Sequence, residues 1–424
     1  MKATRTRLSW LIALGALCNA SASAQQDSTL AALELADKTE FTAVENKALS
    51  GLLEIASSLN ENSAKEQRAS LDMRWDKTLL RNWRAVLSNR FDIRFSHALN
   101  QNRNINTLRE AWLSYALTSQ ASIDVGRVNT RYGVALGYNP TDFLGRGTVR
   151  SAISADPESL RSNRLGNAMI RLQKFWDKAA ATVIWSPKIS ASRRQNSASL
   201  DWNASNPRER VLLAGSYRFA ENLNPQLLLL QEEHRSPQLG VNLSRVLSRS
   251  ALVYAEWAGG RQPFNWQEAL PESQWDMAWR NRAAVGLTWT GENHLTLRLE
   301  GHYNGSADSK KAIATLRAAP PYIAAQIAAA PADSTAQQAQ DGLTPRRGAL
   351  LQAYWKDIAD QYDFNLIWQR DLQRQKNMGF VELRRHLNSV DIALQWQKIY
   401  RPEVKKTYSV RPDRRWQLSV DYYF

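Results

Sequence analysis

Arginine is the residue whose placement in this chain can do chemistry. Arg84, Arg90 and Arg94 share one face of a segment whose other face carries Trp83, Ala85, Leu87, Phe91, Ile93 and Phe95. Arg171 falls with Asn167 and Gln173 on the polar face of a second segment, and Arg298 with Glu300 and His302 on that of a third. A guanidinium is a planar fork that grips a carboxylate or phosphate through two hydrogen bonds. Forks of this kind among aromatic faces such as Trp112 and Tyr254 suit a lane for sugars or other polar, anionic solutes. They suit a rigid wall equally well. Asp72, Asp92, Asp124, Glu256 and Glu300 lie on the same polar faces and can neutralise them. The sequence leaves both readings open.

Catalytic chemistry has little to stand on. There are five histidines. His294 and His302 are eight residues apart, about 26 Å along a strand, too far to share a metal. No Gly-x-Ser-x-Gly motif or metal-ligand pair surrounds any histidine. The expectation is a protein that is not an enzyme and uses no cofactor or metal.

The elements that carry the arginines are strands. Residues alternate apolar and polar with a period of two from about 48 to the end of the chain. No apolar run approaches ~20 residues, so no helix can span a membrane. A transmembrane strand needs only about 10 residues, every second one apolar. The chain also holds 16 tryptophans, a residue enriched at membrane interfaces. Connection lengths sharpen the case. Counted along the chain, the even connections are short turns, near 78–81, 119–120, 177–178, 220–224, 248–249, 291–293, 358–360 and 387–388. The odd ones include every long stretch, near 129–164, 190–209, 260–280, 304–347 and 400–413. Short turns on one side and long loops on the other mark a bacterial outer-membrane barrel. The fold expected is all-β, a transmembrane antiparallel up-and-down β-barrel of about 18 strands, or about 16 if the weak first strand and one other are dropped. A barrel of that size has an aqueous lumen.

The N-terminus fits that compartment. Lys2, Arg5 and Arg7 precede the short apolar run Leu8–Cys18, and Ala22-Ser23-Ala24 reads as a cleavage site. Residues 1–24 are expected to be a signal peptide, 25–47 a periplasmic N-terminal segment, and 48–424 the barrel. Cleavage removes the one cysteine and three cations, so the formal charge of +15 becomes +12. A basic pore favours anionic solutes, and a secreted barrel has no use for nucleic acid. At the other end, Trp416, Leu418, Val420, Tyr422 and Phe424 alternate with polar residues. This segment resembles the C-terminal strand of Gram-negative outer-membrane barrels. The resemblance implies that Trp416, Tyr422 and Phe424 form the signal read by the barrel assembly machinery.

One internal stretch breaks the alternation. Gly126-Arg127, Arg131-Tyr132-Gly133 and Gly137-Tyr138-Asn139-Pro140-Thr141-Asp142-Phe143 fall between two strands. Glycine permits positive φ and Asn-Pro starts a turn, so a structured loop is expected. The stretch resembles a region of the alginate-export-like porins and related outer-membrane porin families, with Val128 where that group carries Gln. The resemblance implies a loop packed into or over the pore, with Arg127, Arg131, Asn139, Asp142 and Arg146 as pore-loop residues. Read without it, Asn139 and Asp142 cap turns.

The functional expectation is a channel in the outer membrane. It would export an acidic exopolysaccharide or admit small anionic or aromatic nutrients. The competing expectation is a non-conducting surface barrel with a plugged lumen. The expected surroundings are outer-membrane lipid and lipopolysaccharide.

Overall fold

A computed structural model describes residues 48–61, 65–96, 104–151, 153–189, 199–220, 222–269, 271–307, 345–373, 375–400 and 414–424. The expected signal peptide, the segment 25–47 and most of the 304–347 connection lie outside the described residues.

The chain forms 18 antiparallel strands. The first six are β1 (Leu49–Asn60), β2 (Lys65–Leu80), β3 (Trp83–Ser96), β4 (Asn104–Thr118), β5 (Ala121–Val128) and β6 (Asn167–Phe175). Then come β7 (Ala179–Ser186), β8 (Arg210–Tyr217), β9 (Gln226–Glu232), β10 (Gln238–Ser248), β11 (Ala251–Gln262) and β12 (Ala278–Thr290). The last are β13 (Leu295–Asn304), β14 (Arg347–Ile358), β15 (Tyr362–Asp371), β16 (Asn377–Leu387), β17 (Val390–Tyr400) and β18 (Arg414–Tyr423). Each pairs with its sequence neighbours. β1 pairs with both β2 and β18, so the sheet closes and no edge is left open. The first strand, the weakest by sequence, is therefore the one that completes the barrel.

Alternation gives the wall two faces. Leu87, Val125, Leu172, Leu229, Val285, Leu297, Leu351, Leu394 and Leu418 point outward and stay exposed. In a soluble protein such a surface would aggregate; here it matches hydrocarbon. Outward aromatic residues gather toward both ends. Trp83 meets Tyr115 at 4.8 Å between ring centroids near the short turns. Trp396 meets Trp416 at 6.2 Å nearer the long loops. Indole and phenol rings settle at an interface because one edge is apolar and the other hydrogen-bonds to water.

The β3–β4 pair departs from strict alternation. Asn89 pairs with Leu108 while Ser88 pairs with Glu110, leaving Arg109 as an extra residue. The bulge turns Arg109 inward, although its parity with Ala111 and Leu113 assigns it to the lipid face.

Candidate functional site

The site is the interior, and its chief feature is the connection 129–166. It folds into the barrel. Its outgoing limb is set by Asn139, whose side-chain nitrogen donates to the Tyr132 carbonyl (2.7 Å). The Asn139 side-chain oxygen accepts from the N–H groups of Thr141 (3.2 Å) and Asp142 (2.9 Å). Gly133 takes φ +72°, and a Cβ there would collide with Glu256, Thr141 and Asn139, so glycine is required. On the return limb Pro157–Ser162 makes a short helix capped by Asp156, which accepts from Glu158 N–H. Arg164 locks the two limbs together. It pairs with Asp142 and donates to the Thr130 carbonyl (2.9 Å) and Asn129 Oδ1 (2.8 Å), with only 2% of its surface exposed.

Two wall carboxylates hold the loop across the lumen. Glu256 on β11 accepts from Val134 N–H and from Ala135 N–H (2.6 Å). Glu300 on β13 accepts from Leu136 N–H (2.5 Å) and Gly137 N–H (2.6 Å), and from the Tyr254 hydroxyl. Both carboxylates are at least 98% buried, and a buried charge needs this many donors. The sequence reading had them neutralising arginines. In the structure each accepts two hydrogen bonds from the loop's backbone N–H groups.

Apolar side chains seal the loop against the walls. Tyr132, Phe143 and Leu144 pack on Met169, Ile184, Leu212, Leu228 and Leu230 from β6–β9. Leu136 and Ala155 pack on Leu350, Ile367, Met378 and Phe380 from β14–β16. Val134 and Ala135 pack on Leu252, Tyr254 and Ala284. The lumen is thus spanned, and the water-exposed inner wall that remains includes β2–β4 below the loop. There Arg74 and Arg84 keep 43% and 51% of their side chains exposed.

The arginines singled out from sequence fall into three settings. Arg84 is half exposed to the lumen, whereas Arg171 beside it keeps only 13% of its side chain exposed. Arg84 makes two 2.7 Å bonds to Asp76, and Arg171 is 2.8 Å from Asp124. Their guanidinium carbons lie 5.7 and 5.9 Å from the Trp112 ring centroid. Arg90, Arg94 and Arg298 are built into the wall. Arg90 bonds Glu54 and Asp92, both at 2.9 Å, with Asp72 at 3.7 Å. Arg94 reaches the loop at Ser151 Oγ (2.9 Å), and Arg298 reaches Thr288 (3.3 Å) and Gln352 (3.2 Å). Arg131 and Arg146 lie on the connection and pair with Glu158 (3.2 Å) and Glu268 (2.6 Å). Burial alone would raise the Glu268 carboxyl, but Arg146 and Arg235 together hold it below its usual value. Arg127, expected in the pore loop, is the penultimate residue of β5. Its guanidinium lies 3.9 Å from the Trp202 ring and donates to Ser205 Oγ (3.0 Å). It is 1% exposed and closed to solute.

Sequence reasoning missed Arg109, Arg164 and Arg384. Arg109 pairs with Asp72 and donates to Ser88 Oγ (3.0 Å). Arg384 sits among Glu382 (3.2 Å), Asp391 (3.3 Å) and Asp421 (2.7 Å), tying β16 to β17 and β18. Arg109 and the inward arginines Arg84, Arg90, Arg171 and Arg384 each pair with wall carboxylates, so the wall's ion pairs are structural as well as electrostatic.

No family model and no curated protein matches the chain. Solved structures do. OccAB1 of Acinetobacter baumannii superposes with a TM-score of 0.54 at 8% identity, over 89% of this chain and 95% of that one. OpdK of Pseudomonas aeruginosa, solved with vanillate, gives 0.54 at 9% identity over 89% and 98%. OccK8 (OprE) of the same organism gives 0.54 at 9% identity over 90% and 98%. The fold is that of the outer-membrane porins. The likeness is one of backbone path, an 18-stranded closed barrel.

Proposed function

We propose that the protein is an outer-membrane channel for small anionic solutes, with aromatic carboxylates the best-fitting class. The observation that carries this is the partly exposed Trp112 on the inner wall, with the guanidinium carbons of Arg84 and Arg171 5.7 and 5.9 Å from its ring centroid. An aromatic ring can stack on Trp112 while its carboxylate exchanges hydrogen bonds with a neighbouring guanidinium. The presence of vanillate with the similarly folded OpdK supports the same class. Export of an acidic polysaccharide, the activity suggested by the alginate-export-like resemblance, fits less well. A polymer needs an uninterrupted lumen, and the 129–166 connection is fastened on opposite walls.

The test is conductance in planar bilayers. Wild type should be anion-selective and blocked by vanillate or benzoate on one face. Arg84→Gln with Arg171→Gln removes two cations and leaves Asp76 and Asp124, so the reversal potential should move toward cations, more at low salt than at high. Trp112→Ala should weaken block by aromatic carboxylates more than block by acetate. Absence of any conductance would return the non-conducting reading.

A further inference from the structure

The outer face of β15–β17, near the long loops, carries a groove of about 410 Å³. It exists because Gly379 supplies no side chain in a row otherwise filled. Across the sheet, Gly379 pairs with Trp368 on one side and Lys398 on the other, and Lys398 pairs with Arg414. One step toward the barrel middle, Leu366, Val381, Trp396 and Trp416 form the parallel row. One step toward the loops come Arg370, Asn377 and Tyr400.

The groove is therefore graded along the membrane normal. Its deeper part is aliphatic and indole, with Trp368 and Trp396 as side walls. Its outer rim is cationic. Arg370 and Arg414 are exposed, and Lys398 lies 4.5 Å from the Tyr400 ring centroid. Among the described residues none of these three cations pairs with a carboxylate. This contrasts with the inner wall, where arginine after arginine has its acid. Unpaired cations at the edge of the hydrocarbon attract anionic lipid headgroups.

We propose that this groove is a lipid site, which seats one acyl chain of a phosphorylated outer-leaflet glycolipid of the lipid A type. The chain lies over Gly379 between Trp368 and Trp396, and a phosphate meets Lys398, Arg414 and Arg370. The long loops place this rim at the outer leaflet, and a phosphate with two ionised oxygens matches a row of cations, Lys398 paired across strands with Arg414, better than a zwitterionic headgroup does.

Native mass spectrometry of the detergent-released barrel tests this, with bisphosphorylated hexa-acyl lipid A, its monophosphoryl form, phosphatidylglycerol and inorganic phosphate as probes. The expected result is a 1:1 adduct with lipid A, retained about tenfold less as the monophosphoryl form and not displaced by inorganic phosphate. Gly379→Leu fills the groove without adding charge, and Lys398→Gln with Arg414→Gln removes cations without filling it. Each should lower retention at least about tenfold. Arg245→Gln, on an outward position near the opposite rim, should leave retention unchanged. Equal retention by wild type and both groove variants would overturn the proposal. So would equal retention of phosphatidylglycerol. Displacement by inorganic phosphate would mean a simple anion site. An oligomer of wild type that Gly379→Leu converts to monomer would assign the groove to a second copy of this chain.

Discussion

Glu256 and Glu300, on the strands either side of β12, together take four consecutive backbone N–H groups of one loop, from Val134 to Gly137. Each carboxylate is matched to two amides, so the loop's crossing point is set by the wall. Glu256→Gln with Glu300→Gln keeps acceptors but removes both charges, weakening each bond by on the order of 1 kcal/mol. The loop should come away from β11 and β13 while the strand ladder stays closed. Single-channel recording should then give a larger and noisier conductance. Wild-type conductance and noise would mean that the apolar contacts alone hold the loop.

Arg90 and Arg84 should respond differently to the same change. Arg90→Gln leaves Asp92 without its cation inside the wall, while Glu54 keeps Arg68 and Asp72 keeps Arg109, a cost of about 3–5 kcal/mol for a broken buried pair. Arg84 is half exposed, and surface pairs contribute at most about 1 kcal/mol. The temperature at which the folded band converts on a gel should fall for Arg90→Gln and barely move for Arg84→Gln. Selectivity should follow the opposite order. Equal thermal shifts would show that the two settings do not differ in strength.

Asp156 should make the loop sensitive to pH. Burial, with Glu158 and Glu382 nearby, pushes its carboxyl up to about 7. The folded loop therefore favours the protonated acid. Its contribution to stability is full below the free value of 3.8 and is lost as pH rises through about 7. Conductance noise should rise between about pH 4 and 7, and Asp156→Asn should abolish that rise. A rise that survives the substitution would have to come from another group.

Phe424 should matter for closure. Its N–H donates to the Gly51 carbonyl (3.1 Å), its carbonyl accepts from Gly51 N–H (3.0 Å), and its ring covers the space a Gly51 side chain would need. Gly51→Val should displace the ring and lower the yield of heat-modifiable barrel, as should deletion of Phe424. Full yield from both variants would show that the ring and its seat are dispensable.

The strands were legible because lipid and lumen impose opposite demands on alternate residues. The docked loop was legible only where that demand fails. Leu212-Leu213, Leu350-Leu351 and the run Leu227–Leu230 are apolar on both faces, and in each the inner member lies under the loop. Arg109 could not be placed, because a single bulged residue inverts parity and leaves no mark in composition. The roles of Glu256 and Glu300 were hidden for another reason. Their partners are main-chain amides, which every residue but proline possesses. Arg127 lay on the face of Val125 by alternation, and the Trp202 segment that covers it is 75 residues away in sequence.

The fastening of the loop also fixes an order of events. Val134–Gly137 lie 121 to 164 residues before the carboxylates that receive them in the sequence. Until β11 and then β13 have joined the growing sheet, the loop has nowhere to dock. Its entry must therefore follow the placement of β11 and β13. The wait adds little free energy, since each doubling of a closed loop costs only about 0.6 kcal/mol. What it imposes is sequence in time: the strands that carry the two acids first, and only then the crossing segment that finds its seat.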